Sequence, residues 1–174
     1  MPGPQLRMSM TDFSNVPAVQ MPPGYQLRTY RPGDEQAWAD IMNRAGMGSW
    51  NVEKARAELF ASPRFVPQGC FLATCHEVPV SAATAFLEDP PNNEVGQLHM
   101  VATRPEHRGR GLARQCSLAV VHFFSGRGFR EVYLLTDDFR LAALKMYLTM
   151  GFQPSYYQGA GEERWAPIRR SLGL

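Results

Sequence analysis

A run of glycines and arginines at residues 108–113 is the part of the sequence best suited to hold an anion. Its sequence is Arg-Gly-Arg-Gly-Leu-Ala, and it lies between an apolar segment and a stretch with helical periodicity. At a helix N-terminus, backbone N–H groups lack partners and the dipole is positive, so phosphate oxygens bind there. Gly109 and Gly111 let the backbone approach these oxygens without a Cβ in the way. The sequence predicts a phosphate-binding loop, although a plain tight turn explains two glycines equally well.

Two common nucleotide-binding loops do not fit these residues. A P-loop requires Lys and then Ser or Thr after its last glycine, and the dinucleotide-binding fingerprint requires G-x-G-x-x-G after a first strand. Here Leu112 follows Gly111, and several predicted strands precede the loop. A nucleotide-binding α/β domain remains an alternative, but it would need alternating parallel βα units.

Hydrophobic periodicity and turn residues predict the elements that position this loop. Helices are predicted at 35–44, 52–61, 111–125 and 141–150. Strands are predicted at 25–31, 70–75, 79–87, 95–103 and 131–136, with a last one from 156 into 165–167. The order β-α-α-β-β-β-α-β-α-β predicts an α/β (α+β) fold, with a mixed, largely antiparallel sheet of about six strands and about four helices on its faces.

The chain length and composition predict one folded domain after a leader. Residues 1–22 contain scattered prolines and methionines without an apolar period, which predicts a mobile leader. The remaining residues, 23–174, are predicted to form a single domain, since a chain of 174 residues with 44% hydrophobic content suits one core.

Composition also narrows the classes of partner. A net charge of +2 without a Lys/Arg run gives little support for nucleic-acid binding, and no stretch is long enough to span a membrane. Cys70, Cys75 and Cys116 form an odd set without C-x-x-C spacing, which predicts a reduced, cytoplasmic chain. No metal site is predicted, because the four histidines lack ligand spacing: His76, His99, His107 and His122.

Two spaced blocks of the sequence, residues 108–113 and residues 140–152, resemble the GNAT superfamily of N-acetyltransferases. Arg108, Gly111 and Ala113 match its Arg/Gln-x-x-Gly-x-Gly/Ala signature. Residues 140–152 are similar to its Asn-x-x-Ala-x-x-Leu-Tyr-x-x-x-Gly-Phe helix, with these positions in register: Ala143, Tyr147, Gly151 and Phe152. The resemblance covers roughly residues 25–165 and implies a GNAT-like sheet.

The second block departs from the family at its first position. Arg140 stands where the family often has Asn, so the usual Asn contact is not carried over. Arg140 either reaches the cofactor or pairs with Asp137 or Asp138. The Thr-Asp-Asp-x-Arg-x-x-Ala variant resembles a minority of GNAT proteins, including acetyltransferase domains of the mycothiol synthase type.

The resemblance implies acetyl transfer from acetyl-CoA to an amine acceptor, and it assigns residues to that reaction. The main chain of residues 100–103 would lie beside pantetheine, and the loop would hold pyrophosphate. The implied cofactor-binding residues are Met100, Val101, Ala102, Thr103, Arg108, Gly109, Arg110, Gly111, Leu112, Ala113, Arg114, Arg140 and Tyr147. Tyr147 would protonate the leaving thiolate, with a core tyrosine as the alternative, and His99 and Glu94 are comparable candidates for the general base.

Other expectations from the resemblance are less specific. Aromatic residues either frame the acceptor site or belong to the core: Trp38, Trp50, Tyr156, Tyr157 and Trp165. Dimers are frequent in the family, so a homodimer is one expectation, with Phe60, Phe65 and Phe86 as candidate surface residues. A module that binds acyl-CoA without turnover is the alternative to an enzyme.

Overall fold

The structure of the chain is a computed structural model that describes residues 4–88, 94–156 and 161–174. Its strands are β1 (Leu6–Met10), β2 (Tyr25–Thr29), β3 (Phe65–Cys75), β4 (Val78–Leu87), β5 (Val95–Thr103), β6 (Glu131–Thr136) and β7 (Gln153–Ser155). Its helices are α1 (Glu35–Arg44), α2 (Val52–Ala55), α3 (Leu112–Ser125), α4 (Leu141–Met150) and α5 (Glu162–Leu172). A π-helical turn (Arg56–Phe60) continues α2, and a 3-10 turn (Pro105–His107) follows β5. The predicted loop at 89–93 lies outside the described residues.

The strands form one sheet in the order β2-β3-β4-β5-β6-β1-β7. Every neighbouring pair is antiparallel except β5 with β6, which is parallel. The predicted fold class is confirmed, with seven strands and five helices in the described part where about six and four were expected. Among the described helices, none has the length and apolar character needed to cross a membrane.

Hydrophobic side chains form two clusters, one on each face of the sheet. Successive strand residues point to opposite faces. Accordingly Leu72 and Ala82 pack in the cluster that contains α1, whereas their neighbours Ala73 and Ala83 pack in the cluster that contains α3. The sheet therefore has a core on both faces.

The N-terminal strand β1 corrects one prediction. Leu6, Met8 and Met10 are 0–3% exposed, and β1 pairs with β6 on one side and β7 on the other. The prediction of a mobile leader over 1–22 is therefore wrong for this strand. The alternating pattern Leu-Arg-Met-Ser-Met buries every second residue, as a strand with one face on the core does.

The segment between β1 and β2 contains neither a strand nor a helix, but it packs on the core. Its apolar side chains contact the cluster around α3, namely Phe13, Val16, Val19 and Met21. His122 Nε2 on α3 donates to the Pro17 carbonyl at 2.8 Å. The backbone N–H of Gln20 donates to Gln115 Oε1, also at 2.8 Å. These contacts tie the segment to the outer side of α3.

The C-terminal region corrects a second prediction. The expected last strand from 156 into 165–167 is wrong, because β7 is only Gln153–Ser155 and residues from Glu162 onward form α5. Trp165 and Ile168 are buried at a spacing of three, which places them on the same side of a helix. Acidic residues begin α5 and Arg169 and Arg170 end it, as the helix dipole favours.

We expect Met8→Ala to lower the free energy of unfolding by about 2–5 kcal/mol, since it leaves a cavity in a closed core. The measurement is a urea unfolding curve. Gln20→Ala, an exposed residue of the following segment, is the control and should change stability by less than about 0.5 kcal/mol. Equal stability of Met8→Ala and wild type would mean that β1 does not pair in solution.

Glu131 should make the pairing of β1 with β6 sensitive to acid. Burial raises the pKa of its carboxyl, but hydrogen bonds from Arg7 Nη2 (2.8 Å) and Ser9 Oγ (2.7 Å) bring the pKa below its usual value of 4.5. A lowered carboxyl pKa stabilises the fold above pH 4.5 and stops doing so as pH falls through the folded-state pKa. We expect Glu131→Gln to be less stable than wild type at pH 7, and the difference to shrink below pH 4.5. Urea unfolding of both proteins at pH 7 and at a pH below 4.5 measures the difference in stability. A difference that stays constant or widens at the lower pH would contradict the prediction.

Candidate functional site

The loop at 108–111 leaves the N-terminus of α3 open. Gly111 is the N-cap in the left-handed conformation, with φ of 78°, and no side chain caps the helix there. Gly109 also has a positive φ, 75°. A Cβ built on either glycine would meet no heavy atom within 4 Å. Both positions therefore require glycine for the backbone angle, and the space in front of them is free for a ligand.

Tyr25 of β2 holds the loop through two side-chain contacts. Arg110 Nη1 donates to the Tyr25 hydroxyl. The Tyr25 hydroxyl also forms a hydrogen bond of 2.9 Å with His107 Nδ1. Arg110 therefore reaches β2.

Two ion pairs attach the same connection to α1. Arg104 Nη2 lies 2.7 Å from Asp40 Oδ2, and Arg44 Nη1 lies 3.5 Å from Glu106 Oε1. Arg104 is mostly buried, so its pair is the less screened of the two. These ion pairs with α1 thus hold the backbone between β5 and α3 in place.

A cleft of about 590 Å³, called here the loop cleft, lies between the start of α3 and α4. Eleven of the thirteen predicted cofactor-binding residues line it, namely Val101, Ala102, Thr103, Arg108, Gly109, Gly111, Leu112, Ala113, Arg114, Arg140 and Tyr147. Met100 and Arg110 do not line it. The volume is in the range of small-molecule sites.

A second cavity of about 180 Å³, called here the strand gap, opens between β5 and β6. The parallel ladder joins residues 95–97 to 131–133. Beyond these three pairs the strands separate, and His99, Met100 and Val101 line the gap on the β5 side. Residues Met47, Val101, Arg140, Ala143 and Tyr147 line both the gap and the loop cleft, so the two cavities adjoin.

A β-bulge shapes β5 beside the gap. Thr84 pairs with His99 and Ala82 pairs with Ala102, so one residue of β4 faces two of β5. Met100, one of the two, has φ of 51°, which is rare for a residue with a side chain. A bulge interrupts the ladder and changes the direction of the strand. It therefore changes the course of β5 next to both cavities.

Tyr147 and Arg140 lie where the two cavities meet. Tyr147 is 6% exposed, and burial raises the pKa of its hydroxyl, so the hydroxyl is protonated at neutral pH. Arg140 Nε lies 3.0 Å from Asp137 Oδ2. Asp138 pairs instead with Arg164 of α5. Of the pairings considered for Arg140, the one with Asp137 is present, and Arg140 lines both cavities as well.

The two base candidates occupy different places on β5. His99 lines the strand gap, and burial, with Arg64 as the second cause, lowers the pKa of its imidazole to about 4. Glu94 precedes the other end of the strand and lines neither cavity. The structure therefore does not bring Glu94 to the site. Within the described ranges, no group of three or more His, Cys, Asp or Glu could hold a metal ion.

The aromatic residues considered for an acceptor site line neither cavity in the described part. Trp38 and Trp165 are fully buried core residues, and Trp50 packs edge-on to Trp38 with ring centroids 5.0 Å apart. Tyr156 is 60% exposed, and Tyr157 lies outside the described residues. The core interpretation therefore holds for Trp38 and Trp165.

Several residues of the strand gap were not predicted from the sequence, among them Gln5, Met47 and Gln97. Gln5 reaches the gap from just before β1, and its Nε2 donates to Asp137 Oδ1 at 3.2 Å. Met47 follows α1, and Gln97 belongs to β5. The alternating apolar pattern of β1 was the sequence signal that could have placed Gln5 beside the sheet. No residue near Met47 or Gln97 in the sequence indicates a site.

The chain is similar to known acetyltransferases along most of its length. Residues 35–152 match the model of the acetyltransferase (GNAT) family. A mycothiol acetyltransferase of Thermobispora bispora is 34% identical over 159 residues, which is 84% of this chain and 52% of that protein. The chain thus spans about half the length of the curated relatives it matches.

Solved structures show the same fold. A GCN5-related N-acetyltransferase from Sphaerobacter thermophilus superimposes with a TM-score of 0.73 at 26% identity, covering 88% of this chain and 50% of that one. An aminoglycoside N-acetyltransferase in complex with CoA gives a TM-score of 0.61 at 20% identity, with 74% and 88% coverage. The second likeness is one of fold. With the family model matched from α1 through the end of α4, this chain belongs to the acetyltransferase (GNAT) family.

Proposed function

We propose that this protein transfers an acetyl group from acetyl-CoA to a primary amine of a small molecule or peptide. The observation that carries the proposal is the loop cleft, where eleven predicted cofactor-binding residues surround one cavity next to the strand gap. Family membership supports the reaction class, and a similar structure named as an N-acetyltransferase supports an amine acceptor.

The start of α3 suits the pyrophosphate of CoA. Its first-turn N–H groups have no partners within the helix, and the first turn contains no acidic residue. Arg108 and Arg114 add positive charge to the wall of the loop cleft. A phosphate in front of Gly109 and Gly111 would occupy the space that a Cβ would take.

The bulged part of β5 suits the pantetheine arm. Residues 101–103 form the wall that leads from the loop cleft to the strand gap. A bulge leaves a backbone group outside the regular ladder. A backbone N–H there would polarise the thioester carbonyl as negative charge develops on its oxygen.

Tyr147 suits the role of proton donor to the leaving thiolate. A neutral amine attacks the thioester carbon, the C–N bond forms and the C–S bond breaks. The amine nitrogen releases one proton to solvent, and the thiolate takes one from the Tyr147 hydroxyl, which is replenished from solvent. The net result moves one proton from nitrogen to sulfur. Burial keeps this hydroxyl protonated until the thiolate appears beside it.

Calorimetric titration with acetyl-CoA tests the loop directly. We expect wild type to bind acetyl-CoA and Gly111→Trp to bind at least about tenfold more weakly, because the indole fills the phosphate space. Gly128→Trp is the matched control, since Gly128 has a similar positive φ of 80° and open space but lies at the other end of α3. It should bind like wild type.

The titration, together with an assay of thiol release, separates the proposed function from its two alternatives. Failure of wild type to bind acetyl-CoA would overturn the proposed function, and binding of ATP in its place would favour a nucleotide-binding domain. Acetyl-CoA binding without thiol release across a panel of amines would favour a non-enzymatic acyl-CoA-binding module.

Removing the Tyr147 hydroxyl should slow the chemical step with little effect on binding. We expect Tyr147→Phe to lower kcat by about 100-fold or more while the Kd for acetyl-CoA stays within about twofold. Thiol release and calorimetry provide the two measurements. Tyr156→Phe removes an exposed hydroxyl away from the cavities and is the control. Unchanged kcat in Tyr147→Phe would show that Tyr147 only packs.

A further inference from the structure

A chain of hydrogen bonds ends at His99 on the β5 side of the strand gap. Arg64 Nη2 donates to Gln97 Oε1 at 3.1 Å, and the Tyr133 hydroxyl donates to the same oxygen at 3.3 Å. Gln97 Nε2 lies 3.4 Å from His99 Nδ1. Gln97 is 5% exposed, so protein groups and not bulk water decide how its amide is oriented.

Arg64 settles which way the Gln97 amide faces. A guanidinium has only donors, so the Gln97 atom next to it must be the amide oxygen. The single proton of the Tyr133 hydroxyl also faces Glu88 Oε1 at 3.4 Å, which makes Arg64 the firmer of the two constraints. The amide nitrogen, which can only donate, is therefore turned toward His99.

The state of one imidazole nitrogen fixes the state of the other. A neutral imidazole has one N–H and one acceptor nitrogen. Since His99 Nδ1 accepts from Gln97, its proton resides on Nε2. The ring orientation is fixed too, because His99 stacks on Phe86 with centroids 4.8 Å apart, and the Arg64 guanidinium lies 4.6 Å from the same Phe86 centroid.

We propose that Arg64 and Gln97 are positioning residues that hold His99 in the Nε2–H tautomer, so that His99 presents a hydrogen-bond donor to the strand gap and not a base. The use of this donor in catalysis rests on the proposed function. It suits an acceptor amine with a hydroxyl or carbonyl oxygen beside the nitrogen. The lowered pKa of His99 agrees with a neutral ring at pH 7.

Long-range ¹H–¹⁵N NMR of the whole protein tests the tautomer without any ligand. We expect the proton on Nε2 of His99 in wild type at pH 7, with the signal assigned by its loss in His99→Phe. In Gln97→Glu, a carboxylate that only accepts should draw a proton onto Nδ1 and raise the pKa of His99. The other three imidazoles should keep their signals. A proton on Nδ1 in wild type would overturn the proposal, as would an unchanged His99 signal in folded Gln97→Glu.

Enzyme activity provides the second test. A negative result in this test can be distinguished from a negative result in the NMR test. Using an amine found by thiol release, we expect His99→Gln, which keeps an N–H donor, to retain at least about tenfold more kcat/KM than His99→Leu. Equal losses in both variants would contradict the donor role. Absence of thiol release by wild type would count against the proposed function, while the NMR result would still decide the tautomer.

Discussion

The parallel pairing of β5 with β6 over three residue pairs is the constraint on which the site depends. Parallel neighbours cannot be joined by a tight turn, so a crossover is needed, and α3 provides it. The connection into α3 must begin where β5 ends. The topology of the sheet therefore brings three features together, whichever side chains they contain. These are the glycine loop, the helix N-terminus and the opening between the two strands.

Side-chain contacts with β2 and α1 hold the loop in place. Tyr25 holds it through His107 and Arg110, and α1 holds the preceding turn through Asp40. Neither contact uses the N–H groups at the start of α3. A loop with two left-handed glycines would otherwise be free to change shape, and pre-ordering it lowers the entropy lost when a ligand binds.

The parts of the site that depend on local sequence were predictable, and those that depend on distant contacts were not. The loop and α4 follow from glycines, caps and periodicity within a few residues. By contrast, the orientation of Gln97 depends on Arg64, which is far away in sequence but adjacent in space. For β1, the alternation covers only five residues among scattered prolines, which is too short to outweigh composition. For α5, the charges at its two ends are typical of a helix, but Pro167 lies inside it, and an interior proline argues against a helix.

The position of β1 also affects the order in which the strands of the sheet can pair. Leu6 pairs with Thr136 and Arg7 pairs with Ser155, so β1 is synthesised well before either of its partner strands. Such non-local pairing makes folding slow, because a long loop must close before the contacts form. Until then β6 and β7 present open edges, which are sites for pairing with other chains. During synthesis there is thus an interval in which β1 exists without its two neighbours in the sheet.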